Sequence, residues 1–275
     1  MHETRLTGEG GAAMDAPVFA PGLLAGRTAL ITGGGSGIGF AIAGELGRLG
    51  ARVFIASRNE ERLRSAAARL AARDVDAAYA TADIRDAGAV DALLETVAGR
   101  FGVPDYLINN AGGQFAAPPM DISANGFRAV VDLNLNGTWH VTRAFAAHLL
   151  KSGRGGKIVN IVLSLENGLP DMVHAGAARA GVINLTRSLA LAWGPHGLTV
   201  NAVAPGSVDT AALTAGYDAA EIRSWTHRLP IKRLARAREV ALAVAYLLSP
   251  AGDYVTGTTL FVDGGEHLMG PLPEA

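Results

Sequence analysis

From Arg27 onward the chain alternates short β-branched runs with longer Ala/Leu-rich amphipathic stretches, and few folds accept that rhythm. Each apolar run fits a strand buried on both faces, and each amphipathic stretch fits a helix that covers it. The pattern places strands at 28–31, 52–56, 77–80, 106–109, 157–161, 199–203 and 258–262. Helices are expected at 38–49, 60–73, 87–99, 123–151, 171–193 and 238–248. The predicted fold is therefore α/β: a single, doubly wound domain of seven parallel strands with helices on both faces. A chain of 275 residues can bury one such core.

The domain is expected over residues 25–270, after a flexible N-terminal extension at 1–24. Residues 205–230 break the alternation, being too long for an ordinary connection and mixed in polar, Gly and aromatic residues. They read as a lid over a substrate. The plainer alternative is a structural excursion with a short helix of its own.

Composition narrows the partners. With 24 Lys+Arg against 25 Asp+Glu, the net charge of −1 gives no field for nucleic acid or an anionic membrane surface. Cys is absent, which removes thiolate chemistry and disulfides, and the seven His residues show no HExxH pairing, so no metal is expected. No apolar run approaches the ~20 residues that span a bilayer. The first 24 residues lack a signal-peptide core, and the tail PLPEA carries neither a lipidation nor an SKL-type signal. A soluble, cytoplasmic protein is expected.

The segment Thr32-Gly33-Gly34-Gly35-Ser36-Gly37-Ile38-Gly39 closes the first strand and opens the first helix. Glycines there let the backbone approach a pyrophosphate, which free amides and the positive end of the helix dipole attract. Gly33, Ser36, Gly37, Ile38 and Gly39 are the candidate contacts. After the second strand stand Ser57 and Arg58, where an NAD-preferring site would place a carboxylate on the adenosine ribose. A guanidinium fork and a hydroxyl suit a 2′-phosphate instead, so NADPH is favoured over NADH. Asp83 and Ile84 are candidates for the adenine, Asn110, Ala111 and Gly112 for the ribose and nicotinamide. Pro205, Gly206, Val208 and Thr210 follow the sixth strand, with Thr210 placed to meet the carboxamide. All lie at the carboxyl ends of strands, where open α/β sheets bind ligands.

These TGxxxGxG, NNAG and PGxxxT elements, in this order, resemble the short-chain dehydrogenase/reductase family over about residues 24–268. The resemblance implies a Rossmann fold, frequent tetramers and a catalytic set of Asn, Ser, Tyr and Lys. The chain keeps the Asn as Asn134 and has Ser164 as the nearest hydroxyl to the usual Ser. Ala175 stands in place of Tyr and Arg179 in place of Lys. Without the phenol, proton exchange with an alcohol oxygen loses its usual acid. Reduction of an activated C=C bond needs only donors that stabilise an enolate, with the carbon-bound proton taken from water. A closer resemblance, to trans-2-enoyl-CoA and 2,4-dienoyl-CoA reductases, lies in Asn109-Asn110-Ala111-Gly112-Gly113-Gln114-Phe115 and in residues 174–182, 229–234 and 248–257. Ile183 departs from it, standing where a tyrosine of the peroxisomal enzymes aligns.

The resemblance implies an NADPH-dependent oxidoreductase acting on an enoyl-CoA or similar α,β-unsaturated acyl thioester. The alternatives are an alcohol or carbonyl dehydrogenase of the same family and a cofactor-binding sensor without turnover. Arg179 would anchor the nicotinamide ribose and polarise, Ser164 would donate to the thioester carbonyl, and Asn134 would hold a water or kink its helix. Gln114 and Phe115 would line the acyl pocket. His174 reads as an acid or as packing, Glu166 as a solvated carboxylate. A homotetramer is implied, its subunits pairing through helices 123–151 and 171–193.

Overall fold

The computed structural model describes residues 16–269 apart from Asn167. Seven parallel strands form the central sheet: β1 (Thr28–Thr32), β2 (Arg52–Ser57), β3 (Ala77–Thr81), β4 (Tyr106–Asn109), β5 (Gly156–Ile161), β6 (Leu198–Pro205) and β9 (Thr259–Val262). Their spatial order is β3-β2-β1-β4-β5-β6-β9. Ala29 therefore pairs with Val53 on one side and Tyr106 on the other, and the order reverses between β1 and β4. That switch opens a crevice at the carboxyl ends of the strands.

Among the helices that connect these strands are α1 (Gly37–Arg48), α2 (Glu60–Ala71), α3 (Ala87–Phe101), α6 (Val173–Trp193) and α9 (Ala237–Leu248). Alternate residues of one strand serve opposite cores. Ile31 and Ile55 pack with Ile42, Leu46 and Val244, whereas Leu30 and Phe54 pack with Leu94, Leu107 and Phe145. Side-chain caps start α2 at Asn59 and α3 at Asp86. Ser36 at the start of α1 makes no such bond, which leaves the first-turn amides and the helix dipole for a ligand.

The expected helix 123–151 is interrupted. It runs as α4 (Ala124–Val131), a π turn over Asp132–Asn136, and α5 (Gly137–Lys151). A buried polar chain then ties these helices to the sheet. Asn109 Nδ2 donates to Thr142 Oγ1 and Asn160 Oδ1, both at 2.8 Å, and Asn160 Nδ2 donates to Thr186 Oγ1 at 2.9 Å. The Thr142 and Thr186 bonds fix α5 against β4 and α6 against β5, and the Asn109–Asn160 bond joins the two strands.

Residues 205–230 hold more structure than one short helix. Within them lie β7 (Val208–Asp209), α7 (Ala211–Gly216) and α8 (Ala219–Arg228), and β7 pairs with β8 (Ala235–Arg236). The expected N-terminal extension is also revised. Residues 1–15 lie outside the described residues, but Leu24 is buried in the core with Phe19 and Leu23 packed against it. No helix among the described residues is long and apolar enough to cross a membrane.

Candidate active site

At the β1/β4 switch lies a cavity of about 440 Å³. Gly33, Gly35 and Ser36 form its floor, Ser57 and Arg58 one end, and Asp83, Ile84, Asn110, Ala111 and Gly112 the facing wall. The floor is rigid because β1 and β4 lock each other. Thr32 Oγ1 accepts the amides of Asn110 and Ala111 at 3.1 Å, and Asn110 Nδ2 donates to the carbonyls of Thr32 at 3.0 Å and Gly33 at 3.2 Å. Gly33 has φ +68°, and a Cβ on Gly39 would stand 2.4 Å from the Gly33 oxygen. Side chains at either position would fill the cradle.

The Ser57 hydroxyl is buried without a hydrogen-bond partner at the phosphate end. Arg58 and a second guanidinium, Arg62, line the same cavity. Sequence reasoning missed Arg62, four residues after Arg58 in the first turn of α2. An orphaned donor beside two cations fits the 2′-phosphate of NADPH. Asp83 is held by Arg85, whose Nε donates at 2.9 and 3.1 Å to its two oxygens. That hydrogen-bonded guanidinium is the largest cause that lowers the Asp83 pKa to about 2.

Arg179 is 5% exposed and projects from α6 beneath the nicotinamide loop. Nη1 donates to the Ile161 carbonyl at 2.8 Å, Nε is buried without a partner, and Nη2 lies 2.1 Å from where a Gly112 Cβ would stand. Among the described residues no carboxylate pairs with it. Burial alone pulls its pKa down to about 10, so it stays a cation near neutral pH. Asn134, fully buried in the π turn, grips the neighbouring residue. Its Nδ2 donates to the Gly113 carbonyl at 2.7 Å and its Oδ1 accepts the Gly113 amide at 3.2 Å. The kink read from the sequence is present. Its effect is to clamp Gly113 beside Arg179.

Other expected contacts are placed differently. Ser164 Oγ donates to Asp263 Oδ2 at 3.0 Å, so its proton points at a carboxylate rather than at an acyl carbonyl. Asp263, 99 residues away, also meets His267 Nδ1 at 2.8 Å. Val208 puts its side chain into the core, and a Cβ on Gly206 would stand 2.3 Å from a Glu266 oxygen. Neither residue lines the cavity, nor does Pro205, which ends β6 opposite Val262. Thr210 caps α7, and its methyl lies 3.7 Å from where a Gly37 Cβ would stand. That position is by the glycine-rich turn. Gly37 itself opens α1, and Ile38 leans on the core. Among the described residues no tyrosine lines the cavity.

Fold, cradle and a basic residue on α6 define a nucleotide-dependent oxidoreductase. The family of enoyl-(acyl carrier protein) reductases matches residues 33–267, and the chain belongs to it, within the short-chain dehydrogenase/reductases. It is 40% identical to a peroxisomal 2,4-dienoyl-CoA reductase, (3E)-enoyl-CoA-producing, of Danio rerio, across 91% of this chain and 85% of that one. Among solved structures, a citronellol catabolism dehydrogenase of Pseudomonas aeruginosa PAO1 is 39% identical. It covers 91% of this chain and 98% of its own at TM-score 0.81. A variant of actinorhodin polyketide ketoreductase with NADPH is 35% identical, covering 88% and 98%, at TM-score 0.84.

Proposed function

We propose that this protein is an NADPH-dependent oxidoreductase that reduces the C=C bond of an α,β-unsaturated acyl thioester such as an enoyl-CoA. One observation carries the reading. Where the family resemblance calls for a phenol and an ammonium, the chain offers the methyl of Ala175 and the buried, carboxylate-free guanidinium of Arg179. A guanidinium cannot shuttle protons near neutrality, yet it stabilises negative charge in a site of low polarity.

NADPH, when bound, supplies the hydride. Arg58, Arg62 and Ser57 would hold its 2′-phosphate and the bare amides of α1 its pyrophosphate, while the missing side chain of Gly112 makes room for the Arg179 guanidinium. Arg179 would anchor the ribose and supply positive charge beside the reacting carbons. Asn134 positions Gly113 and thereby the wall against which the ring rests. The acyl chain enters along Gln114 and Phe115. As electrons move from the double bond onto the thioester carbonyl oxygen, negative charge gathers there, and water then delivers a proton to the α-carbon.

A dehydrogenase acting on an alcohol is the second reading, favoured by likeness to the citronellol catabolism dehydrogenase. NADPH oxidation with trans-2-hexenoyl-CoA, with a panel of ketones, and NADP+ reduction with alcohols separate the two. Activity on carbonyls and alcohols alone rejects the first. A homotetramer and a cytoplasmic location belong to the same proposal; light scattering on the purified protein and cell fractionation test them.

A further inference from the structure

His174 is the one fully buried ring at the start of α6, and nothing in the mechanism above uses it. The Ala175 amide donates to its Nδ1 at 2.9 Å, which makes Nδ1 an acceptor and puts the proton of the neutral ring on Nε2. Nε2 is buried and has no hydrogen-bond partner. Buried donors in folded proteins are nearly always matched, so an unmatched one points to a ligand that supplies the acceptor.

The surroundings say which ligand. The ring meets Phe115 edge to face, centroids 4.4 Å apart. Phe115 is 42% exposed and continues the segment that passes Arg179 and Asn134 at Gly112 and Gly113. The Ala117 amide donates to the Asp171 carbonyl at 2.9 Å and ties this segment to the approach to α6. Helix α6 runs for 21 residues and starts without a side-chain cap, so its positive end is also directed here. The donor thus lies one residue before Ala175, whose methyl replaces the family's phenol, and behind a half-exposed ring on the acyl side of the nicotinamide loop.

We propose that the Nε2–H of His174 hydrogen-bonds the carbonyl oxygen of the acyl thioester, the substrate having displaced the Phe115 ring. The inference rests on the C=C reductase reading. In the step, the β-carbon gains hydride, the double-bond electrons move to the carbonyl oxygen, and His174 stabilises that enolate without giving up its proton. The α-carbon then takes its proton from water.

His174→Phe keeps an aromatic ring and removes the donor; His174→Gln restores an N–H near the same place. With trans-2-hexenoyl-CoA, His174→Phe is expected to lose about a hundredfold or more in kcat at unchanged NADPH affinity, and His174→Gln to recover at least about tenfold of it. Full kcat in His174→Phe overturns the proposal, as does equal loss in both variants. If His174→Phe does not fold, NMR of the wild type with NADP+ and hexanoyl-CoA replaces it. A downfield shift of the Nε2 proton is expected, and an unmoved resonance refutes the contact. A wild-type protein inactive on trans-2-hexenoyl-CoA removes the functional reading itself, whereas an active wild type with an unaffected His174→Phe removes only the role of His174.

Discussion

Replacing Arg179 by methionine separates what this cation does for the reaction from what it does for the fold. Its guanidinium is buried, makes one hydrogen bond to a backbone carbonyl at 2.8 Å and is matched by no carboxylate among the described residues. A pKa drawn down to about 10 by burial corresponds to roughly 3.5 kcal/mol carried by the charged form, at ~1.4 kcal/mol per tenfold. The bond to Ile161 returns about 1.5–3 kcal/mol of that. Methionine fills a similar stem and sheds both quantities. Arg179→Met should therefore make the ligand-free protein about 0.5–2 kcal/mol more stable than the wild type, a Tm rise of about 1–8 °C. Turnover of trans-2-hexenoyl-CoA should fall about 10²–10³-fold, since charge at the developing enolate is removed. Linkage gives the same cost a second signature. Because folding lowers the pKa of a base, the unfolded chain binds more protons than the native one from about pH 10 up to the ordinary guanidinium range. Wild-type stability from this group rises with pH through that window, and Arg179→Met lacks the rise. Calorimetry without ligand and an NADPH-oxidation assay measure both halves. A Tm lowered by more than about 5 °C, or turnover within threefold of wild type, refutes the reasoning.

Three further outcomes follow from the geometry. Gly112→Ala sets a methyl carbon 2.1 Å from Arg179 Nη2 and 2.6 Å from Asn134 Oδ1; it should cost about 1–3 kcal/mol and at least tenfold in kcat, read by thermal melting and steady-state kinetics. Arg58→Gln removes a guanidinium from the phosphate end while leaving Arg62; kcat/KM for NADPH should fall about 10–100-fold with NADH little changed, and equal losses for both coenzymes would place Arg58 elsewhere. In the wild type, Arg85 keeps Asp83 charged until pH falls through about 2, so NADP+ affinity owes Asp83 no acid limb over the ordinary range. In Arg85→Gln the carboxyl returns toward its usual range, and NADP+ binding by calorimetry should weaken as pH drops below about 5.

The strands, the glycine turn and Arg58 were legible because each is written in adjacent residues: continuous apolar runs, a Gly cluster at a strand end, a cation where a carboxylate would stand. Arg85 was legible by the same standard, two residues from the Asp83 it holds, and only the habit of reading Asp83 as a free acceptor hid it. The Ser164–Asp263 bond was not legible, since 99 residues separate its ends and no local pattern links β5 to the turn after β9. The side chain of Val208 enters the core, so only its backbone is left to meet a cofactor.

The missing phenol gains its meaning from these placements. A hydroxyl substrate needs a group that changes protonation during turnover, and Arg179, Asn134 and Ser164 are poor at that. Arg179 holds its proton, Asn134 is spent on Gly113, and Ser164 points at Asp263. What they can do is hold charge and shape in place. An enolate asks for that alone, because its carbon is protonated from water after the charge has formed. Losing Tyr and Lys together, while keeping a buried cation at the second position, is therefore the change expected of a site whose task moved from proton exchange to charge stabilisation.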